Sequence, residues 1–114
     1  MRRRSLLLGP ALGLIMASGL MTGSVAAETH QVEMKKFKFA PAEITVKVGD
    51  TVHWVNQERR QYHTVWFRLA GDPETVELFP GDTFDKTFEQ PGEYPYVCGP
   101  HEKDYGMTGI VHVE

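Results

Sequence analysis

The sequence has little that would cross-link or extend its fold. Its 114 residues include one cysteine, Cys98, so an intrachain disulfide is excluded. No internal repeat or low-complexity segment follows residue 27, which excludes a solenoid or a long flexible linker. Apolar residues do not recur at the 3.6-residue spacing of an amphipathic helix, which argues against a helical bundle. One small domain is therefore expected.

The first 27 residues differ in composition from the rest. Three arginines at 2–4 precede an uncharged apolar run, Leu6–Met21, and small residues follow at Val25–Ala27. This order is typical of a secretory signal peptide. A membrane anchor is the alternative, but the run is short for a bilayer span, which needs about 20 apolar residues. We predict cleavage after Ala27, which leaves a periplasmic domain of residues 28–114 with no stable membrane insertion.

Charge restricts the class of partner. Removing the three arginines of the leader leaves nine basic against 15 acidic residues, a net charge of −6 with neutral histidines. An acidic surface argues against nucleic acid and favours either a basic protein partner or simple solubility. Nothing in the composition calls for an oligomer, and we expect a monomer.

The mature region reads as all-β. Short runs rich in valine, threonine and aromatic residues alternate with glycine, proline, asparagine and aspartate. We predict no helix, a loop at 99–107, and strands at about 30–37, 43–48, 51–56, 64–69, 83–88, 94–98 and 108–113. This many short strands in one small domain indicates a two-sheet β-sandwich. Alternation places Trp54 and Val111 inward, and His53 and His112 on the opposite, solvent-facing side.

One predicted loop concentrates the metal-binding chemistry. Cys98, His101 and Met107 all lie between the last two strands. A thiolate with imidazoles and a weak thioether is a ligand set for mononuclear copper. The second imidazole is assigned to His63, which follows the polar loop 57–62. Individually, Cys98 can be a buried thiol, His63 a backbone-bonded loop residue and Met107 an apolar plug. No open coordination position is evident, so we predict no enzymatic activity.

Four segments together resemble a known family. They are Phe39–Asn56 (FAPAEITVKVGDTVHWVN), His63–Phe67 (HTVWF), Phe79–Phe84 (FPGDTF) and Pro91–His101 (PGEYPYVCGPH). The chain resembles the cupredoxins, most closely the group of plastocyanin, pseudoazurin and amicyanin. The resemblance implies a Greek-key β-sandwich and one type 1 copper ion bound by His63, Cys98, His101 and Met107.

Two positions depart from the pattern of that group. The spacing here is Cys-x2-His-x5-Met, whereas the group usually has four or two residues between His and Met. The longer loop affects the contact between Met107 and the metal. Thr64 follows the first histidine, where asparagine is common. Its hydroxyl can still join the two ligand loops by a hydrogen bond, which would orient the ligands.

The resemblance implies a soluble one-electron carrier. Electrons would enter through the edge of His101, with Pro100, Tyr105 and Gly106 forming a docking patch of low polarity. The partner would be a redox protein, such as a basic c-type cytochrome or a periplasmic oxidoreductase, bound in a small transient contact.

A second function remains open, namely copper tolerance or delivery. Cleavage after Ala27 would leave Glu28-Thr29-His30 at the amino terminus. A free amine, two backbone nitrogens and a histidine at the third position can bind Cu(II) in a square plane.

Overall fold

The computed structural model describes residues 26–114. The predicted signal peptide and the route of export therefore lie almost wholly outside the described residues. Within residues 26–114, no helix is long and apolar enough to cross a membrane.

The described chain forms two β-sheets. The strands are β1 (Thr29–Lys35), β2 (Lys38–Ala40), β3 (Glu43–Val46), β4 (Thr51–Asn56), β5 (Thr83–Thr87), β6 (Gly92–Val97) and β7 (Thr108–Val113). One sheet has the order β2-β1-β4-β5 and the other β3-β7-β6. Strands β1 and β4 are parallel, as are β3 and β7, and the remaining pairs are antiparallel. The prediction of an all-β, two-sheet sandwich is confirmed.

The core lies between the two sheets and follows the predicted alternation. Val52 and Trp54 on β4 are fully buried, and Val111 on β7 faces them from the other sheet with no exposed surface. Trp54 packs edge-to-face against Tyr96, with ring centroids 5.3 Å apart. Such aromatic pairs add about 0.5–1.5 kcal/mol beyond the burial of their area. The core therefore fixes the ends of β4, β6 and β7, from which the loops of the metal end emerge.

The predicted strand at 64–69 is wrong. This segment makes only isolated bridges, in which His63 pairs with Leu78 and Trp66 pairs with Val97. It then forms a short 3-10 helix at Arg68–Ala70. Its backbone groups thus bond to one partner and then to another, so no continuous ladder forms. Residue composition favours a strand here, but the hydrogen bonds are decided by these non-local partners.

The prediction of an irregular loop at 99–107 with no helix is also wrong. A second 3-10 helix spans Gly99–His101, and a single-turn helix, α1, spans Glu102–Tyr105. Helical turns this short carry no periodic apolar pattern, so the sequence offers no signal for them.

Asn56, the last residue of β4, organises the neighbouring loop. Its side-chain amide donates to the carbonyl oxygens of Gln61 and Leu78, at 2.9 and 2.8 Å. Its Oδ1 accepts from the backbone amide of Glu58 at 2.8 Å. The side chain is 1% exposed, so these bonds satisfy buried polar groups. They set the path of the chain that leads to His63.

Candidate metal centre

The loop from Cys98 to Met107 is closed by its own backbone. The amide of Cys98 donates to the carbonyl oxygen of Met107 at 3.0 Å, and the amides of His101 and Glu102 donate to the Cys98 carbonyl. Helix α1 is followed by Gly106, whose φ of 63° is the left-handed conformation that glycine favours after a helix end. The helical turn comprises four of the five residues between His101 and Met107.

His63 reaches the same place from a segment that bridges to Leu78 and, through Trp66, to Val97 at the end of β6. Its backbone amide and carbonyl exchange hydrogen bonds with Leu78, at 3.0 and 2.8 Å. Its side chain has no exposed surface. The bridge to Leu78 holds the backbone of His63, and burial restricts the rotation of its ring.

Three predicted ligands converge on one point. The Nδ1 atoms of His63 and His101 are 3.1 Å apart, and the Sγ of Cys98 lies 3.8 and 3.3 Å from them, respectively. Metal–sulfur bonds of about 2.3 Å and metal–nitrogen bonds of about 2.0 Å, at angles from about 100° to about 125°, would separate such donors by roughly 3.1–3.8 Å. The observed distances fit one ion with these three ligands, which form the metal-competent cluster found among the described residues.

Met107 lies beside this cluster but is held differently. Its side chain is 1% exposed and belongs to the hydrophobic core. Its backbone amide donates to the His101 carbonyl at 3.4 Å, in addition to the bond from Cys98. The loop thus ties Met107 to both neighbouring ligand residues.

Thr64 joins the two ligand segments, as the sequence predicted. Its hydroxyl accepts a hydrogen bond from the amide of Gly99 at 2.9 Å and donates to Glu74 at 2.7 Å. Its own amide donates to the Sγ of Cys98 at 3.3 Å. A donor aimed at sulfur stabilises the thiolate form that binds metal.

Burial sets the protonation of the ligands in the metal-free protein. It raises the pKa of the Cys98 thiol, so the thiol keeps its proton at neutral pH. Burial and then the proximity of His63 lower the pKa of His101, which favours the neutral imidazole needed for ligation. Metal binding must therefore displace a proton from sulfur but not from His101.

Glu58 is a functional residue that the sequence did not reveal. Its carboxylate lies 2.8 Å from the Nε2 of His63, which leaves Nδ1 directed at the cluster. Burial opposes ionisation of Glu58, but hydrogen bonds from His63 and from the amides of Phe37 and Lys36 outweigh it and lower its pKa. A carboxylate on the outer nitrogen fixes the tautomer of a ligand histidine and raises its basicity.

Aromatic rings cover the outer side of His101. Phe37 packs edge-to-face on the imidazole, with centroids 4.9 Å apart, and stacks on Tyr105 at 3.8 Å. Tyr62 lies 5.9 Å from the imidazole on another side. His101 is consequently 8% exposed. Neither Phe37 nor Tyr62 was singled out from the sequence.

Phe37 stands on a strained turn. It and Lys36 are the two central residues between β1 and β2, with φ values of 58° and 57°. Two-residue hairpin turns of this kind favour Asn-Gly, because other residues strain the left-handed conformation. Here a lysine and a phenylalanine adopt it, and the result is the packing of Phe37 against His101.

The other histidines lie outside the centre. The rings of His53 and His112 are 31% and 27% exposed, on the predicted outer faces, and bond to Asp85 and to Glu43 and Glu93. The Nε2 of His30 lies 2.9 Å from Asp50, at the end of β4 opposite the metal end.

Comparison with known proteins agrees with this geometry. Residues 26–114 match the family of copper binding proteins described as plastocyanin/azurin. The plastocyanin of Nostoc punctiforme is 31% identical over 133 aligned positions, which cover 100% of this chain and 94% of that protein. The amicyanin of Paracoccus versutus is 36% identical, covering 79% of this chain and 68% of its own. A Cu(I) structure of an amicyanin mutant superposes with a TM-score of 0.67 at 35% identity, covering 79% of this chain and 86% of the other.

Proposed function

Because the chain belongs to the plastocyanin/azurin family of copper-binding proteins, we propose that it is an exported one-electron carrier with one copper ion. The proposed ligands are His63, Cys98, His101 and Met107. The observation that carries the proposal is the convergence of two Nδ1 atoms and one Sγ within 3.1–3.8 Å.

The chemistry of the donors suits this metal. A thiolate, two imidazoles and a weak thioether are the set found in electron-transfer copper sites. Copper bound there supplies a one-electron couple between Cu(I) and Cu(II). Glu58 orients His63, the amide of Thr64 donates to the Cys98 sulfur, and backbone bonds to Cys98 and His101 hold the part of the loop that carries Met107.

Burial supports a carrier rather than an enzyme. His63 and Cys98 have no exposed surface, so a substrate would have no direct approach to either donor. His101 is the donor with residual exposure, and aromatic side chains surround it. Its outer edge is the proposed route of electrons to and from the centre, with Pro100, Tyr105 and Gly106 beside it.

A soluble redox protein, such as a c-type cytochrome or a periplasmic oxidoreductase, is the proposed partner. The expectation that this partner is basic rests only on the net charge of the sequence. We propose cleavage after Ala27 and a periplasmic location on the strength of the leader composition.

The carrier is favoured over a copper-tolerance protein by the position of His30. A terminal Cu(II) site needs the first amine and the imidazole of residue 30 together, but the amide nitrogen of Glu28 and the ring of His30 both bond to Asp50, at 2.9 Å each. Copper binding there would have to break the contact of the Glu28 nitrogen with Asp50 and to curl residues 28–30 around the ion, away from the extended pairing of β1 with β4.

The test is the visible spectrum of the copper-loaded protein. Stoichiometric Cu(II) should produce an intense thiolate-to-copper band that disappears on reduction and returns on oxidation. Cys98→Ser should abolish the band, whereas His30→Ala should leave both the band and the ratio of one copper per chain unchanged. A colourless Cu(II) protein would refute the type 1 centre, and a second copper lost with His30→Ala would favour copper handling.

A further inference from the structure

The lysines and arginines of this protein fall into two groups, those that form an ion pair with a carboxylate and those that do not. Among residues 26–114, Lys47, Arg68 and Lys86 each lie within 4.0 Å of a carboxylate. The other lysines and arginines of this part of the chain make no such ion pair; they are Lys35, Lys36, Lys38, Arg59, Arg60 and Lys103.

All six unpaired cations lie on segments that border the metal centre. Three flank or form the turn between β1 and β2 that carries Phe37, two lie in the loop 57–62 that leads to His63, and one is in α1 beside His101. Lys35, Lys36, Arg59 and Arg60 share one groove, whose walls also include Phe37. We refer to these four residues as the cationic groove.

The acidic groups nearby do not cancel this charge. Glu58 lines the same groove, but its one carboxylate, bound to His63, stands against four cations and leaves the groove net positive. Glu102 is engaged by Arg68 through two hydrogen bonds of 2.7 Å. Glu74 and Glu77 line a different groove, beside Thr64 and Pro100. Asp104 stands next to Lys103 in α1. The surface around His101 is thus cationic on the Phe37 side and anionic on the Thr64 side.

We propose that the cationic groove is the docking surface for an acidic face of the redox partner. This proposal rests on the electron-carrier function proposed above and names the chemistry of its partner. Clustered unpaired charge raises the association rate of an oppositely charged molecule, and the effect is local at physiological ionic strength because the Debye length is about 8 Å. The partner therefore meets the groove beside Phe37 and His101 rather than the average charge of the chain.

The cationic groove lies where an attracted partner would be close to the metal ligand His101. Phe37 belongs to the groove and packs directly on His101, so a partner drawn to the cations is placed against the covered edge of the ligand. Electrostatic complementarity of this kind sets the rate and orientation of encounter more than the affinity.

Small redox ions provide the first test. Ferricyanide, an anion, takes one electron from the Cu(I) protein to give Cu(II) protein and ferrocyanide; tris(phenanthroline)cobalt(III), a cation, takes one electron to give the cobalt(II) complex. We expect the ferricyanide rate to fall as ionic strength rises. At about 0.1 M ionic strength, where the Debye length is about 10 Å, Arg59→Glu combined with Arg60→Glu should lower it severalfold and raise the cobalt rate.

The matched control is Lys47→Glu, which reverses an exposed charge close to Asp50, at the other end of the sandwich. It should change both rates by less than twofold. If Arg59→Glu and Lys47→Glu, each measured singly, have equal effects, the docking proposal is refuted while the carrier function stands. If the wild-type Cu(I) protein transfers no electron to either ion, the carrier function itself is refuted.

A binding measurement independent of electron transfer completes the test. Amide chemical shifts of the diamagnetic Cu(I) protein can be followed during addition of a basic cytochrome c and of the same cytochrome made acidic by succinylation of its lysines. We expect only the acidic form to perturb residues 35–38 and 59–60. Perturbation of these residues by neither form, or mapping of the basic form onto Glu74 and Glu77, would overturn the proposal.

Discussion

At each end of β4, one buried polar side chain forms hydrogen bonds with neighbouring backbone groups, but the two side chains differ. At its start, Asp50 is 5% exposed and bonds to the amides of Glu28 and Lys47 and to the ring of His30. At its end, Asn56 bonds to three backbone groups of the loops that lead to the metal centre. Each residue satisfies buried polar groups that would otherwise destabilise the sandwich.

The surroundings of these two anchors differ. Around Asp50, Lys47 has a carboxylate partner and the chain turns at Gly49, whose φ of 95° is natural for glycine. Beyond Asn56 lie the strained residues Lys36 and Phe37 and the unpaired cations. Strain and unpaired charge thus lie at the end that carries the candidate metal centre, and strained backbone conformations cluster at functional sites. Four substitutions test this contrast.

Asn56→Ala should have the largest effect. It removes the side-chain donor to the Gln61 carbonyl and the side-chain acceptor of the Glu58 amide, whereas the Leu78 carbonyl loses one donor but keeps the amide of His63. An unsatisfied buried group typically costs about 1–3 kcal/mol in the free energy of unfolding. Urea unfolding measures the loss. Gln57→Ala, an exposed neighbour, should change stability by no more than about 0.5 kcal/mol. Equal losses in both variants would show that Asn56 does not anchor the metal end.

Glu58→Gln should act on the metal more than on the fold. Loss of the carboxylate on the outer nitrogen of a ligand histidine typically weakens metal binding 10–100-fold. The reduction potential should rise, because a nearby negative charge favours Cu(II) over Cu(I). Competition with a copper chelator and a redox titration measure the two effects. Glu89→Gln, on an exposed residue without an ion pair among residues 26–114, should leave both unchanged.

Asp50→Asn should weaken the other end without altering the centre. Hydrogen bonds from the amides of Glu28 and Lys47, and then from His30, lower the pKa of Asp50 from 3.8 to about 2. A depressed folded-state pKa means that ionised Asp50 stabilises the fold fully above about pH 4, and that this contribution is lost as the pH falls toward 2. The variant should therefore have a lower Tm at pH 6 and a smaller fall in Tm between pH 4 and 2. A changed visible spectrum of the copper-loaded variant would show that Asp50 affects the metal centre and would contradict this prediction.

Lys36→Gly should have the smallest effect and the opposite sign. Glycine adopts the φ of 57° without strain, which for other residues costs about 1–2 kcal/mol, although glycine also gains entropy in the unfolded chain. A net rise in stability of up to about 1 kcal/mol is expected from thermal unfolding. Lys35→Gly, in the regular strand β1, should instead lower stability by about 0.5–1 kcal/mol. Destabilisation by both would mean that the turn is not strained.

Sequence reasoning succeeded where the signal is local. The bounds of β4 and β7 and the inward positions of Trp54 and Val111 follow from strict alternation, which reports which face of a strand is buried. The convergence of His63, Cys98 and His101 was predicted because Cys98 and His101 share one loop with copper-ligand chemistry, and because His63 follows a polar loop in a segment that resembles the family.

It failed where partners are remote along the chain. The segment 64–69 looks like a strand, but its hydrogen bonds go to Leu78 and Val97 in turn. The hydrogen bond between Glu58 and His63 and the packing of Phe37 on His101 depend on the conformations of loops. Loops have no periodic sequence pattern from which these conformations could be predicted. The basic partner expected from net charge stays a prediction, and titration with native and succinylated cytochrome c decides between it and the acidic partner proposed from the cationic groove.

The most direct test is the position of copper in crystals of the copper-loaded protein, located by anomalous scattering at the copper edge. One peak should lie within bonding distance of Nδ1 of His63, Nδ1 of His101 and Sγ of Cys98, with the Met107 sulfur next nearest. A peak bonded to Nε2 of either histidine, or placed at His30 and Asp50, would contradict the account.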